Sequence, residues 1–288
     1  MTAPPAPPIR EPAVSAPAVP PALGGAPVGV FDSGLGGLSV LRAIRTALPH
    51  EPLLYLADSA HAPYGDKPPT VIQARAAVLL QTLRAAGCKA AVVACNTVTG
   101  LSIQALRAQH PGWPIVAIEP AVKPAAQLTH SGIIGVLATR NTVCSPGLAR
   151  LIATHAAQVR VLTQACPGWV ERVERGELDG PDTEAAVAAF VRPLCDAGAD
   201  VLVLGCTHYP FLRPVIERVA GPRVTVLDPA PAVARELGRQ LHAHGLAAPT
   251  PAAAAVTFWT SGDPAQVGRV LQRLWPGAPA VLALPGAG

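Results

Sequence analysis

The chain has 288 residues, of which 50% are hydrophobic and 14% charged. That balance suits the packed core of one large or two ordinary domains and excludes general disorder. The net charge of +4, from 22 basic against 18 acidic residues without a basic run, implies no nucleic-acid partner.

Residues 1–27 are rich in Pro and Ala. The uncharged run from Pro12 to Phe31 has about the length of a membrane span, but Pro12, Pro17, Pro20, Pro21 and Pro27 would repeatedly remove helical hydrogen bonds. The run follows Glu11 rather than a basic segment, which makes a poor signal peptide. A flexible tail is the expectation for 1–27, and no other segment has the length and apolarity of a span, so no membrane association is expected.

After the tail, short apolar runs alternate with helical patterns. Strands are expected at VGVF (28–31), LLYLA (53–57), AAVVA (90–94) and IVAI (115–118). Further strands are expected at IIGVLA (133–138), VRVL (159–162), VLVLG (201–205) and VTVL (224–227), with VLALP (281–285) as a last one. Ile72, Ala76, Leu79, Leu80 and Leu83 recur at helical spacing, and Gly87 supplies the stop. Such alternation predicts an α/β fold with mostly parallel sheets.

The plan occurs twice. VGVFDSG (28–34) parallels IGVLATR (134–140), and AVVACNT (91–97) parallels VLVLGCT (201–207). From Asp32 to Cys95 is 63 residues, and from Thr139 to Cys206 is 67. Two pseudo-symmetric halves are therefore expected, each carrying a cysteine to the C-terminal edge of a sheet, where open α/β sheets bind ligands. Facing each other, the halves would bring both thiols to one interdomain cleft.

Cysteines stand at 88, 95, 144, 166, 195 and 206, with no C-x-x-C pair, and a chain this long needs no disulfide staples; reduced thiols in a cytoplasm are expected. Several chemistries use a thiol next to Thr207 and His208. A Cys–His nucleophile needs one cysteine and leaves the duplication unexplained. Structural zinc normally takes close ligand pairs, which are absent. A redox pair would bring the sulfurs within bonding distance and leave no room for a ligand. Two facing thiols can also act as base and acid on opposite sides of one carbon, inverting its configuration. The glycines of GLGG (34–37) do not form G-x-G-x-x-G, and no Walker-type lysine follows them.

FDSGLGGLSVLRAI (31–44), ADSAHAPYG (57–65), ACNT (94–97) and GCTHYP (205–210) resemble the signature blocks of glutamate racemases. These are cofactor-independent enzymes of the aspartate/glutamate racemase superfamily that serve bacterial cell-wall synthesis. The resemblance implies interconversion of L- and D-glutamate with Cys95 and Cys206 as the two acid/base residues, and with neither cofactor nor metal. Aspartate and hydantoin racemisation use the same chemistry, and a non-catalytic amino-acid-binding module would keep the same cleft; the PYG block and the intact cysteine pair favour glutamate racemisation. By the same resemblance Asp32 and Ser33 lie near Cys95 and the substrate amino group. Asn96, Thr97 and Thr207 hold the α-amino and α-carboxylate groups, and Tyr64 and Gly65 hold the side-chain carboxylate, with Thr139 and Thr142 as helpers. His208 assists Cys206, with Glu174 of the block ACPGWVERVERG (165–176) behind it. The resemblance also implies a homodimer. Domain one is expected over 28–118 plus 229–288, and domain two over 119–228.

Overall fold

A computed structural model describes residues 25–249 and 254–285 of the protein. Residues 1–24 of the expected tail lie outside the described residues. The strands are β1 (Val28–Asp32), β2 (Leu53–Ala57), β3 (Ala90–Val93), β4 (Ile115–Ala117), β5 (Ile133–Ala138), β6 (Arg160–Ala165), β7 (Val201–Gly205), β8 (Thr225–Leu227), β9 (Val256–Thr260) and β10 (Val281–Ala283). The helices are α1 (Leu38–Ala47), α2 (Pro69–Ala85), α3 (Asn96–Gln109), α4 (Val122–Leu128), α5 (Arg140–Val143), α6 (Pro146–His155), α7 (Trp169–Arg175), α8 (Pro181–Asp196), α9 (Arg213–Ala220), α10 (Ala230–Ala243) and α11 (Pro264–Leu274). None of the described helices is long and apolar enough to cross a membrane.

One sheet has the order β10-β9-β2-β1-β3-β4 and the other β6-β5-β7-β8. Every recorded pairing is parallel, including β1 on both β2 and β3 and β5 on both β6 and β7. The order β2-β1-β3-β4 thus recurs as β6-β5-β7-β8, so Asp32 and Thr139 hold equivalent places after the first strand of each half, and Cys95 and Cys206 after the third. The central strands β1, β2, β3 and β7 are buried throughout. Burial on both faces is what their unbroken apolar runs encode, since a strand with one wet face would alternate.

Two strands differ from the sequence expectation. β6 runs on to Ala165 because Thr163, Gln164 and Ala165 keep pairing with β5. It is an edge strand with half-exposed residues, so its hydrophobic pattern stops before its pairing does. β9, the segment VTFWT, was not expected; it inserts between β2 and the last strand, so the C-terminal segment returns with two strands.

The largest apolar cluster runs through both halves, joining α1 and α10 to Trp169, Tyr209 and Ile216. Trp169 is fully buried, edge-on to Tyr209 with ring centroids 4.7 Å apart, and its indole N–H donates to Ala186 O at 3.1 Å. Burial of such a ring contributes roughly 3–5 kcal/mol. Across the same junction the Arg42 guanidinium lies 5.6 Å from the Phe211 ring centroid and 5.7 Å from that of Trp275.

The expected stop of α2 holds. Gly87 has φ +77°, and the Cys88 N–H reaches back to Leu83 O at 3.1 Å. An added Cβ at Gly87 would meet no atom within 4 Å, so substitution there tests the dihedral alone. Gly87→Ala is expected to cost about 1 kcal/mol and lower Tm by about 2–4 °C in thermal denaturation, without changing activity.

Candidate active site

Cys95 caps the N-terminus of α3 directly after β3, and Cys206 begins the turn directly after β7. Both sulfurs line one cavity of ≈ 250 Å³, together with Ser33, Tyr64, Gly65, Asn96, Thr97, Thr139, Val170, Thr207 and His208. Every lining residue is buried. Larger hollows of ≈ 840 and ≈ 1100 Å³ lie to either side and contain neither thiol. Of the residues singled out in the sequence, Asp32, Thr142 and Glu174 stand behind the cavity wall rather than on it.

The two thiols have different surroundings. Cys95 Sγ lies 3.9 Å from Ser33 Oγ. Burial first, and the Asp32 carboxylate second, push its thiol far above the ordinary cysteine range despite the bond from the Val98 N–H. At neutral pH Cys95 therefore holds its proton. Asp32 is itself fully buried; burial raises its carboxyl above the usual value, against the opposing pull of His208 and of the Gly37 N–H, which donates to Oδ2 at 2.8 Å. The Thr207 hydroxyl lies 3.4 Å from both carboxylate oxygens, so Asp32 ties the first cysteine's loop to the second's.

Cys206 Sγ lies 3.7 Å from His208 Nδ1, and His208 Nε2 lies 2.6 Å from Glu174 Oε1. Burial works against a charged imidazole, but the bonds to Cys206 and Glu174 outweigh it and hold His208 well above its ordinary value. The ring thus sits between a sulfur at one nitrogen and a carboxylate at the other. Glu174 Oε1 also accepts the Leu35 N–H at 2.7 Å, which anchors the line Glu174–His208–Cys206 to the glycine loop of the first half.

That loop explains GLGG. A Cβ on Gly34 would sit 2.1 Å from Glu174 Oε1, and one on Gly36 2.2 Å from His208 Nδ1. The glycines form a socket into which Glu174 and His208 of the opposite half fit. Ser39, two residues beyond GLGG, locks the same junction by donating from Oγ to Thr207 O at 2.9 Å.

Polar groups suited to a small zwitterion surround the thiols. The hydroxyls of Thr97, Thr139 and Thr142 form a triangle with sides of 3.0, 3.0 and 3.3 Å. Both side-chain polar atoms of Asn96 are buried without a hydrogen-bond partner. An unmet buried polar atom costs roughly 1–3 kcal/mol, so such a group at a cavity marks a place for ligand atoms. The Tyr64 hydroxyl, by contrast, is committed: it donates to Asp58 Oδ2. Asp58 also receives Arg75 through Nε at 3.0 Å and Nη2 at 2.7 Å, and the Ser261 hydroxyl at 2.7 Å. Burial alone would raise its carboxyl, but these partners hold it below the ordinary aspartate value. What the Tyr64–Gly65 loop offers a ligand therefore comes from backbone and ring, on a platform built by Asp58, Arg75 and Ser261. Sequence reasoning did not assign Asp58, Arg75, Ser261, Ser39 or Val170, although Ser39, Asp58 and Val170 lie inside the blocks 31–44, 57–65 and 165–176.

Two sheets of one plan each deliver a cysteine to the same buried cavity. The chain belongs to the Asp/Glu/hydantoin racemase family, whose model matches residues 29–237. It is 52% identical to the glutamate racemase of Stutzerimonas stutzeri over 250 residues, covering 87% of this chain and 94% of that one. It is 50% identical to that of Methylococcus capsulatus over 259 residues, covering 90% and 95%. Among solved structures it resembles glutamate racemase of Francisella tularensis in complex with D-glutamate, with TM-score 0.79, 27% identity and coverage of 90% and 97%. It equally resembles the Escherichia coli enzyme in complex with L-glutamate and the activator UDP-MurNAc-Ala, with TM-score 0.79, 33% identity and coverage of 90% and 98%.

The socket gives a direct test. Gly34→Ala and Gly36→Ala should each dislodge the relay and lower turnover by about 100-fold, the scale of one lost general acid–base group. Gly87→Ala, with its open surroundings, should leave turnover unchanged; steady-state kinetics of the three variants compares them.

Proposed function

We propose that the protein interconverts L-glutamate and D-glutamate with Cys95 and Cys206 as the two bases. The observation that carries this reading is the pair of thiols lining one buried cavity, each with its own proton-handling partners. Glutamate as substrate is supported by the relatives at 50% identity or more over most of the chain.

The chemistry follows from the residues. With substrate Cα between the sulfurs, one thiolate takes the Cα proton and the opposite thiol gives its own to the other face. Cys95, held as a thiol, is the donor when Cys206 is the base. Afterwards Cys95 is the thiolate and Cys206 the thiol, which is the state needed for the reverse direction. His208, bonded to Cys206 Sγ, exchanges the proton there, and Glu174 fixes the ring. Asp32 and Ser33 serve Cys95 in the same way.

The Cα–H of an ionised amino acid is a very weak acid, so the developing carbanion must be stabilised where its charge spreads, on the α-carboxylate. Asn96, the Thr97–Thr139–Thr142 triangle and Thr207 supply those donors. They are held by buried elements and need no rearrangement during the reaction, while closure fixes the distance from each sulfur to carbon. The Tyr64–Gly65 loop takes the side-chain carboxylate.

Residues 28–118 with 229–288 form one domain in this reading, and 119–228 the other. The strand membership of the two sheets supports that division. The product supplies D-glutamate for peptidoglycan, and the protein acts as a cytoplasmic homodimer.

The test is incubation with L-glutamate in D2O. Optical rotation should fall while deuterium enters at Cα. Absence of exchange with glutamate, aspartate and hydantoins would overturn the racemase reading. Cys95→Ser and Cys206→Ser should each lower racemisation by about 10²–10⁴-fold, and normal turnover in either would remove the two-base mechanism.

A further inference from the structure

We propose that Asn141 is a positioning residue that holds the cavity shut by clasping the loop Tyr64–Lys67 across the cleft. The need for a clasp follows from burial. All residues lining the cavity are buried, so a solute reaches the thiols only when the rim parts. At this rim the loop 64–67, on the side of the first sheet, meets α5, on the side of the second.

Asn141 joins them with three hydrogen bonds. Its side-chain Nδ2 donates to Tyr64 O and to Lys67 O, both at 2.9 Å, and its backbone N–H donates to Gly65 O at 3.0 Å. An amide nitrogen has two protons, and here both are used on the two ends of one four-residue loop. The neighbouring ion pair Arg140–Asp66, at 3.1 Å, has both side chains more than half exposed and adds little. Nothing else in the turn replaces the amide.

Both ends of the clasp are fixed. On one side Tyr64 is held through Asp58 by Arg75 and Ser261. On the other, Asn141 stands between Thr139 and Thr142, which are bonded to each other and to Thr97. Engaging the clasp therefore sets the loop and the hydroxyl triangle at the same moment. Substrate and transition state both require the closed cavity, so loosening it removes uniform binding, which raises KM and leaves kcat nearly unchanged.

This proposal rests on the racemase reading for its kinetic readout but not for its structural one. Asn141→Ala deletes the two side-chain bonds and keeps the backbone one. The expected result is a KM for glutamate about tenfold higher, with kcat within about threefold and Tm unchanged. Asn141→Asp sets a carboxylate against two carbonyl oxygens and should raise KM further at neutral pH. The activity-independent measurement is hydrogen exchange of the residue 141 amide, which itself donates to Gly65 O and should exchange about tenfold faster in the alanine variant. If wild-type protein fails to exchange the Cα–H of glutamate, aspartate and hydantoins while amide 141 is deprotected in the variant, the racemase reading falls and the clasp stands. If the wild type is active and Asn141→Ala keeps either wild-type KM or wild-type protection at residue 141, the clasp is overturned.

Discussion

The site depends on the buried His208. Removal from water disfavours a charge on its ring, and a carboxylate at one ring nitrogen with a sulfur at the other outweighs that and raises its pKa above the ordinary histidine value. An uncompensated charge there would cost several kcal/mol, so Glu174, His208 and Cys206 must assemble together. The anchoring bond from Leu35 extends that requirement to the opposite half of the molecule. The loop that supplies the N–H also supplies the glycine socket into which Glu174 and His208 fit.

The duplicated fold brings two equivalent sulfurs to the cavity and then treats them unequally. Cys95 sits against a buried aspartate and a serine hydroxyl, Cys206 against an imidazole backed by a glutamate. Burial and the Asp32 carboxylate disfavour the thiolate at Cys95. Each thiol thus has its own set of polar partners. Asp32, bridged to Thr207, keeps the two environments mechanically linked.

Much of the plan was legible in the chain because hydrophobic runs, turn glycines and strand-end cysteines are local features. Eight of the ten described strands lie where unbroken apolar runs predict them, and a last strand was read from VLALP. Strand β9 was not, because a five-residue segment next to the sheet edge carries no periodicity that distinguishes it from a loop. The repeat of two cysteine-bearing strand ends was visible in spacing alone, and the family blocks supplied Asp32, Ser33, Thr97, Thr207 and His208. Asp58, Arg75, Ser261 and Asn141 were not assigned, since their partners lie as far as 203 residues away and an isolated Asp, Arg, Ser or Asn has many bland uses.

By itself the sequence determined the α/β class, the duplication and the placement of Cys95 and Cys206 at strand ends, because those follow from patterns a few residues long repeated along the chain. Tertiary structure alone decided what each thiol feels, why GLGG is glycine-rich, and that the Tyr64 hydroxyl faces a carboxylate rather than the cavity. These are contacts between the two halves. Their energies depend on burial and on distances of a few ångströms between residues far apart in sequence, and no local pattern encodes them.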